Sequence, residues 1–346
     1  MNNQPQSSSL PVALPQVTAR RLIVLAALAV LTVALLLTVG GGATALAALA
    51  TVNLAWIGFG VLIHYSGFVV RGWRWQRLLA MVGHRLRWRT LMTLLLSGWF
   101  VSALLPARAG DLLRVAALRL PDVSPTPVPV AVSLSSIVLE RVLDLLALLL
   151  LGATIGFVLL RTALPGWIMA IYGVGLLALI LVVSALVIAP TLLQWLRSWS
   201  GQPWWQKLLD FGAELVQSLR TLGLQPQSAV AVIIASLYIW LCDALLLWCV
   251  LHSMGVAAPF SSIAFVALTV DMVAAIPLTP GGIGQIEAAN VALLALLPLP
   301  PFNLAAAVLL NRTISYWSFL LFSGFVTFFA GIGQLFTSGK GTNNSN

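Results

Sequence analysis

Charged residues are scarce in this chain of 346 residues. Asp, Glu, Lys and Arg together make up 8% of it and hydrophobic residues 60%, whereas a typical soluble domain is about 25% charged. The mean hydropathy is +1.02. This balance excludes a soluble globular protein and predicts an integral membrane protein. The net charge of +9 is concentrated in a few basic clusters beside apolar runs, which indicates cytoplasmic loops rather than nucleic-acid binding.

Motifs of common enzyme classes and of metal sites are also missing. The three histidines and two cysteines form no HxxxH or CxxC pair, which argues against a metal site. The chain has no P-loop, nucleophile elbow or dinucleotide fingerprint. Cys242 and Cys249 would lie about 10 Å apart on one helix, too far for a disulfide, so we predict two buried thiols. We predict no cofactor, no metal and no enzymatic activity.

Apolar runs recur along the chain at the length of about 20 residues that a bilayer core requires, so we predict an all-α, polytopic integral membrane protein. The predicted apolar helices are residues 22–39, 43–70, 90–105, 128–160, 167–189, 228–252, 260–276, 285–298 and 303–331. Two stretches interrupt this series: an arginine- and tryptophan-rich segment at 71–89, and an amphipathic helix at 202–223 predicted to lie in the membrane interface. Residues 1–19 are predicted to be a disordered tail and 337–346 a polar tail.

The stretch LLPARAGDLLRVAALRL, residues 104–120, interrupts an apolar helix with a proline, a glycine and charges. If residues 90–105 crossed the membrane fully, Arg114 and Arg119 would lie outside, against the usual cytoplasmic placement of arginine. A re-entrant hairpin that turns at PARAGD returns them to the cytoplasm. Such a break is tolerated where protein or a watery cavity covers it. IPLTPGGIGQIEAAN, residues 276–290, interrupts the second half in the same way.

The second half repeats the order of the first. Residues 167–189 match 22–39, 228–252 match 43–70, 260–276 match 90–105, and 303–331 match 128–160. Each half then has three full crossings and one re-entrant broken helix, and an odd number of crossings makes the halves inverted. We predict a transmembrane domain at 20–336, with one repeat at about 22–160 and the other at about 167–331. The hairpins should meet near the midplane, as in many transporters, and both termini should be cytoplasmic.

Charges within apolar regions are costly, at about 2.5–3.5 kcal/mol on insertion scales, so each is a candidate for a polar pathway. With the glycines of the second break, the candidate substrate-pathway residues are Arg108, Asp111, Glu140, Arg141, Asp144, Asp271, Gly281, Gly282, Gly284, Glu287 and Arg312. Buried ion pairs that fix helix register are the alternative, which we favour for Asp243.

Roles within this pathway follow from charge. Free N–H groups between Gly281 and Gly284 should bind a lipid phosphate, with Arg108 or Arg312 as the counter-charge. Glu140, Asp144 and Glu287 should then border the cavity and tolerate or attract a cationic headgroup. Arg108 is also predicted to pair with Glu287 at mid-depth.

Five blocks of the chain resemble signature blocks of the lysylphosphatidylglycerol synthase transmembrane-region family, also called flippase-like proteins. In chain order they are RGWRWQRLL, LLPARAGDLLR, SSIVLERVLDLL, PLTPGGIGQIEAAN and LLNRTISYW, and the resemblance covers roughly residues 22–331. It implies a protein that moves a lipid between leaflets. The best-known members move a lysine-modified phospholipid and carry an aminoacyl-transferase domain, which is not expected here. Asp111 stands where the family commonly has Glu.

We therefore expect translocation of a phospholipid or polyprenyl-phosphate lipid between leaflets of the cytoplasmic membrane, with membrane lipids as the partners. One alternative is an enzyme that acts on lipid headgroups within the bilayer. ERVLD, residues 140–144, is the only carboxylate pair close in sequence that could serve it. The other alternative is a membrane subunit or scaffold for a separately encoded synthase or glycosyltransferase.

Overall fold

The computed structural model describes residues 27, 30–38, 41–104, 109–121, 123–124, 126–159, 166–199, 201–223, 226–276 and 278–329, and every regular element in them is helical. The α-helices are α1 (Val30–Thr38), α2 (Ala43–Ala50), α3 (Leu54–Met81), α4 (Trp88–Leu104), α5 (Ala109–Ala117), α6 (Val130–Ala153), α7 (Gly166–Arg197), α8 (Pro203–Gly223), α9 (Pro226–Ser253), α10 (Phe260–Ala274), α11 (Gln285–Leu294), α12 (Leu304–Arg312) and α13 (Phe319–Phe329). Short π-helical stretches follow α6 and α12, and a 3₁₀ turn spans Pro280–Gly282. The prediction of an all-α, multi-pass membrane protein is confirmed.

Four helical stretches are long and apolar enough to cross a membrane by themselves, judged within the described residues. They are Leu54–Met81, Gly166–Arg197, Ala229–Ser253 and Leu304–Phe329. α1 and α2 bend by 97° at a short break that falls between the predicted crossings at 22–39 and 43–70, and the first of these is only partly described. α2 ends at Ala50, so the second crossing begins at Leu54 rather than at residue 43. α6 has 24 residues but contains three charged side chains, and these are paired within the protein.

The second crossing extends further than predicted. We expected it to end at residue 70, before a cytoplasmic arginine-rich segment, but α3 continues unbroken for 28 residues to Met81. Arg71 and Arg74 are buried. A terminal nitrogen of Arg71 lies 3.4 Å from Asp243, and one of Arg74 lies 2.8 Å from Asp144. Because each guanidinium has a carboxylate partner on another helix, α3 can carry both arginines into the packed interior.

α4 and α5 form the first hairpin. The N–H of Gly110 donates to Ser102 Oγ at 3.1 Å, and the two arms are in contact along their length. Leu91 at the start of α4 and Ala117 at the end of α5 belong to one buried cluster with Leu79 of α3. The chain therefore returns to the side from which it entered, as predicted for a re-entrant hairpin.

α10 and α11 form the second hairpin in the same way. Ile263 near the start of α10 and Leu293 near the end of α11 lie in one buried cluster with Leu251 of α9. α4 contacts the Pro280–Gly282 turn of this second hairpin. The two hairpins therefore meet, as the sequence predicts, although residues 105–108 of the first tip lie outside the described residues.

Two pairs of counterpart helices in the two halves begin 172 residues apart. α3 and α9 both have 28 residues and begin at Leu54 and Pro226, 172 apart. α4 and α10 begin at Trp88 and Phe260, again 172 apart. At this spacing α2 corresponds to the second half of α8, and α12 corresponds to part of α6. The contacts correspond as well, because α2 packs on α12 and α8 packs on α6. The same spacing places α1 at the first half of α8, so α1 and α2 together are the counterpart of α8. The sequence match of 22–39 with 167–189 differs from this correspondence.

α3 and α9, which are counterparts, pack antiparallel. The N–H of Asn53 before α3 donates to the carbonyl of Ser253 at the end of α9, at 2.8 Å. Further along, Gly67 lies against Cys242. Counterpart helices that run in opposite directions are what an inverted repeat requires. Cys242 and Cys249 are buried free thiols, as predicted.

We expect Gly110→Ala to destabilise the first hairpin. A Cβ on Gly110 would overlap the carbonyl oxygen of Gly98 on the facing arm, so the arms would have to separate. Overpacking of this kind lowers the free energy of unfolding by about 1–3 kcal/mol. Thermal unfolding of the purified protein in detergent measures the loss. Gly58→Ala is the matched control, since nothing lies within 4 Å of that Cβ position; equal stability of the two variants would contradict the close approach.

Candidate functional site: a cavity between the repeats

A cavity of about 400 Å³ lies between the two repeats, with walls from α3, α4 and α9 to α13. Phe68, Trp99 and Phe319 supply much of its apolar surface. The polar side chains that line it are His64, Arg71, Ser102, Asp243, Asp271, Thr279, Asn290, Asn311, Arg312, Ser315 and Tyr316. Leu278 in the wall is 78% exposed, so the cavity opens beside the second hairpin.

α3 and α9 bring a histidine, an arginine and an aspartate together in this wall. His64 Nδ1 lies 2.8 Å from one carboxylate oxygen of Asp243, and a terminal nitrogen of Arg71 lies 3.4 Å from the other. The Arg71 guanidinium also lies over the rings of Trp99 and Trp240, at 5.2 and 4.8 Å from their centroids. Attraction to the two aromatic faces and to one carboxylate holds this cation at the cavity.

α11 and α12 place a buried ion pair at the tip of the second hairpin. Arg312 Nε lies 2.7 Å from Glu287, and Arg312 Nη2 donates to the carbonyl oxygen of Gly281 at 3.2 Å. The Arg312 guanidinium carbon lies 4.4 Å from the ring centroid of Tyr316. The second oxygen of Glu287 accepts the N–H of Gly284 at 2.8 Å. This pair therefore fixes the hairpin tip to α12 and presents Arg312 to the cavity.

The N–H groups of this tip are less available than we predicted. The Gly284 N–H is bound by Glu287, and the Gly282 N–H donates to the carbonyl of Thr279 at 3.0 Å. The chain supplies its own carboxylate at the start of α11, where the helix dipole favours a negative charge. A phosphate at this cavity would therefore depend on arginine side chains rather than on a backbone cradle.

Three buried polar atoms of the cavity wall have no hydrogen-bond partner among the described residues. They are His64 Nε2, Asp271 Oδ2 and Asn311 Oδ1. Buried polar groups in folded proteins are nearly always paired with protein or water. The wall is therefore built to meet a polar molecule or water that enters the cavity.

A second ionic network lies behind the first hairpin and does not line the cavity. Arg114 of α5 lies 2.7 Å from Glu140 of α6 and 3.3 Å from Asp111. Its guanidinium stacks over Trp75, at 3.9 Å from the ring centroid. Asp144 lies 2.8 Å from Arg74 of α3 and 3.6 Å from Arg141. These contacts join α3, α5 and α6, which is a structural role.

The two repeats carry equivalent ion pairs with the charges exchanged. The returning helix of each hairpin is paired with the next long helix: Arg114 with Glu140, 26 residues apart, and Glu287 with Arg312, 25 residues apart. Glu140 and Arg312 are 172 positions apart, the spacing of the repeat. The correspondence between the halves therefore extends to these side chains.

The predicted pathway residues separate into groups. Those that line the cavity are Asp271, Gly281, Gly282 and Arg312. Those that belong to the network behind the first hairpin are Asp111, Glu140, Arg141 and Asp144. Glu287 and Gly284 support Arg312 from behind. Arg108 lies outside the described residues, and Glu287 pairs with Arg312 rather than with the predicted Arg108.

Sequence reasoning missed the cluster of ionisable side chains in the wall, which is formed by His64, Arg71 and Asp243. We assigned Arg71 to a cytoplasmic cluster and Asp243 to a register-fixing pair. Two signals could have found them. His64 and Arg71 are seven positions apart and so share one helix face, and Arg71 and Asp243 are opposite charges 172 positions apart, the spacing of the repeats.

The fold and the cavity define an α-helical, multi-pass membrane protein with two inverted halves. The chain belongs to the family described as the lysylphosphatidylglycerol synthase TM region, whose profile matches residues 22–323. A "UPF0104 membrane protein" of Methanothermobacter thermautotrophicus is 26% identical over 282 residues, which are 75% of this chain and 79% of the relative. Another of that name from Methanocaldococcus jannaschii is 26% identical over 225 residues, 64% of this chain and 91% of the relative. No solved structure matches the chain.

Proposed function

We propose that this protein moves a phosphate-bearing lipid between the two leaflets of the cytoplasmic membrane. The observation that carries the proposal is the cavity between inverted repeats, lined by Arg71 and Arg312 in a chain with 8% charged residues. Substrate sites of transporters with inverted repeats form where broken helices meet. The phosphate would bind the two guanidinium groups.

The size and the opening of the cavity support a lipid substrate. A volume of about 400 Å³ falls within the range of small-molecule sites and suits a headgroup. Leu278 and Leu320 line the cavity, and Leu321 and Phe325 on α13 are exposed. Acyl chains could therefore remain in the bilayer while the headgroup enters the protein.

Transport in liposomes tests this proposal. Purified protein is reconstituted with a chain-labelled phosphatidylglycerol or with a chain-labelled neutral glycolipid, and label in the outer leaflet is quenched with dithionite. We expect the protein to make the phospholipid of both leaflets accessible and to leave the glycolipid of the inner leaflet protected. Equal protection of the phospholipid with and without protein would contradict the proposal.

An intramembrane headgroup transferase is the second candidate, because His64 and Asp243 form a hydrogen-bonded pair at 2.8 Å. A histidine held in this way can act as a general base. No hydroxyl among the described residues lies within hydrogen-bonding distance of its Nε2, so a protein nucleophile is not in place. Mass spectrometry of the liposome lipids after transport distinguishes the candidates, since a transferase alters the headgroup.

The orientation of the protein gives a further prediction. The first hairpin returns to the end of α3, where Arg85, Arg87 and Arg89 are exposed, and we propose that this side is cytoplasmic. A cysteine that replaces the exposed Arg119 should react with an impermeant maleimide in opened cells but not in intact ones. The native thiols are buried and give a low background. Labelling in intact cells would contradict this orientation.

A further inference from the structure

The pair formed by His64 and Asp243 has a free end that faces the cavity. His64 is 5% exposed and lines the cavity. Its Nδ1 is bound by Asp243, and its Nε2 has no partner among the described residues. Tyr65 and Phe68 pack edge-on against the imidazole, at 5.8 and 5.0 Å between ring centroids. The ring is held in one orientation with one nitrogen left for a molecule or a proton from the cavity.

We propose that His64 is a proton-binding group of the cavity and that its protonation is coupled to lipid movement; the coupling rests on the proposed function. Arg71 lies 3.4 Å from the second oxygen of Asp243, so this side chain has a guanidinium at one oxygen and the imidazole at the other. The carboxylate accepts the Nδ1–H of His64 and so fixes the tautomer with its lone pair on Nε2. A proton from water or from an acidic headgroup in the cavity adds to that lone pair. The ring then carries N–H on both nitrogens, and release reverses the step.

Charged groups from three helices lie in the cavity wall with His64. Arg71 lies on the same helix and Asp243 on α9, while Asp271 of α10 lines the same cavity. Asp271 interacts electrostatically with Asp243, Arg71 and Arg312, and its Oδ2 has no partner among the described residues. Arg312 is paired with Glu287 at 2.7 Å. Asp271 Oδ2 and His64 Nε2 are therefore two unpartnered polar atoms in the wall of one cavity, judged within the described residues.

The location of the pair explains how protonation and lipid movement can be linked. His64 belongs to the first repeat and Asp243 to the second, so their hydrogen bond bridges the two bodies whose relative movement would alternate access. A movement that separates them weakens the interaction that stabilises the imidazolium. Protonation of His64 then favours the arrangement in which His64 and Asp243 are in contact. Because coupling is reciprocal, that arrangement in turn favours protonation of His64.

The distribution of a transported lipid at equilibrium measures the coupling. Liposomes carry the protein, labelled phosphatidylglycerol and a difference of one pH unit, with the voltage clamped by potassium and valinomycin. If one proton moves with each lipid, the ratio of label in the two leaflets should shift about tenfold, because one pH unit is a tenfold difference in proton activity. His64→Asn should abolish the shift, since the amide can still donate to Asp243 but cannot take up a proton. His84→Asn, outside the cavity, should keep it.

Two outcomes separate this inference from the proposed function. If the wild-type protein moves the label but the pH difference leaves the ratio unchanged, the inference is overturned and the transport proposal stands. If no label moves, the transport proposal fails and the proton site is judged by nitrogen NMR of the histidines in detergent. The His64 signal, assigned by its loss in His64→Asn, should show a proton added to Nε2 when the sample is acidified. A His64 ring that keeps one protonation state throughout would overturn the proton site.

Discussion

Arg312→Gln should reduce transport of every phosphate-bearing lipid by about 10- to 100-fold. Arg312 lines the cavity, and its guanidinium is the group proposed to bind the phosphate. A hydrogen bond to a charged group contributes about 1.5–3 kcal/mol, and each 1.4 kcal/mol changes a rate about tenfold. The same change leaves Glu287 buried without its partner at 2.7 Å, so the free energy of unfolding should fall by about 3–5 kcal/mol.

A double variant separates the transport effect from the stability effect. The double variant combines Glu287→Gln with Arg312→Gln, so that neither partner of the pair is left buried as an unpaired charge. Its stability should recover toward that of the wild-type protein, while its transport rate should stay low. The measurements are initial transport rates in liposomes and thermal unfolding in detergent. Arg85→Gln removes an exposed arginine outside the cavity and should change neither. Recovery of transport in the double variant would show that Arg312 is structural and does not contact the lipid.

Glu140→Gln should mainly reduce stability. Glu140 is 2% exposed and lies 2.7 Å from Arg114, which is fully buried. Removing one partner of a buried pair lowers the free energy of unfolding by about 3–5 kcal/mol. We expect a loss of about 3 kcal/mol, the low end of that range, because Asp111 still lies 3.3 Å from Arg114. Thermal unfolding in detergent measures the change, and Glu214→Gln on the exposed side of α8 is the control.

The lipid dependence of this variant distinguishes two roles for Glu140. The sequence suggested a headgroup contact, whereas the structure places Glu140 behind the first hairpin. Any loss of transport in Glu140→Gln should therefore be equal for phosphatidylglycerol and for its lysine-modified form. A selective loss for the amine-bearing lipid would contradict the structural role and return Glu140 to the pathway.

The helices and both hairpins could be predicted from the sequence because their signals are local. A break such as PARAGD or TPGGIG within an apolar run marks a hairpin tip, and long apolar runs mark the crossings. The order of these signals is enough to reveal the repeat. The start of α11 was also within reach, because Glu287 stands three positions after Gly284, a common capping arrangement that occupies the N–H we assigned to phosphate.

The composition of the site could not be predicted in the same way because its contacts are distant in sequence. Arg74 pairs with Asp144, 70 residues away, and Arg71 with Asp243, 172 residues away. Nothing in the local stretch RGWRWQRLL distinguishes an arginine that meets such a carboxylate from one that faces the cytoplasm. Basic residues beside an apolar run usually indicate a loop, and for this reason the sequence places the end of the second crossing eleven residues before Met81.

The claim that lipid passes through the cavity between the repeats is tested most directly by filling the cavity. Ala274 lines it at the end of α10, and Ala288 is exposed on α11. Ala274→Trp and Ala288→Trp are compared in one measurement, the rate at which labelled phosphatidylglycerol changes leaflet in liposomes with equal amounts of folded protein. We predict that Ala274→Trp reduces the rate to that of protein-free liposomes while Ala288→Trp retains the wild-type rate. Wild-type transport by Ala274→Trp would contradict the account.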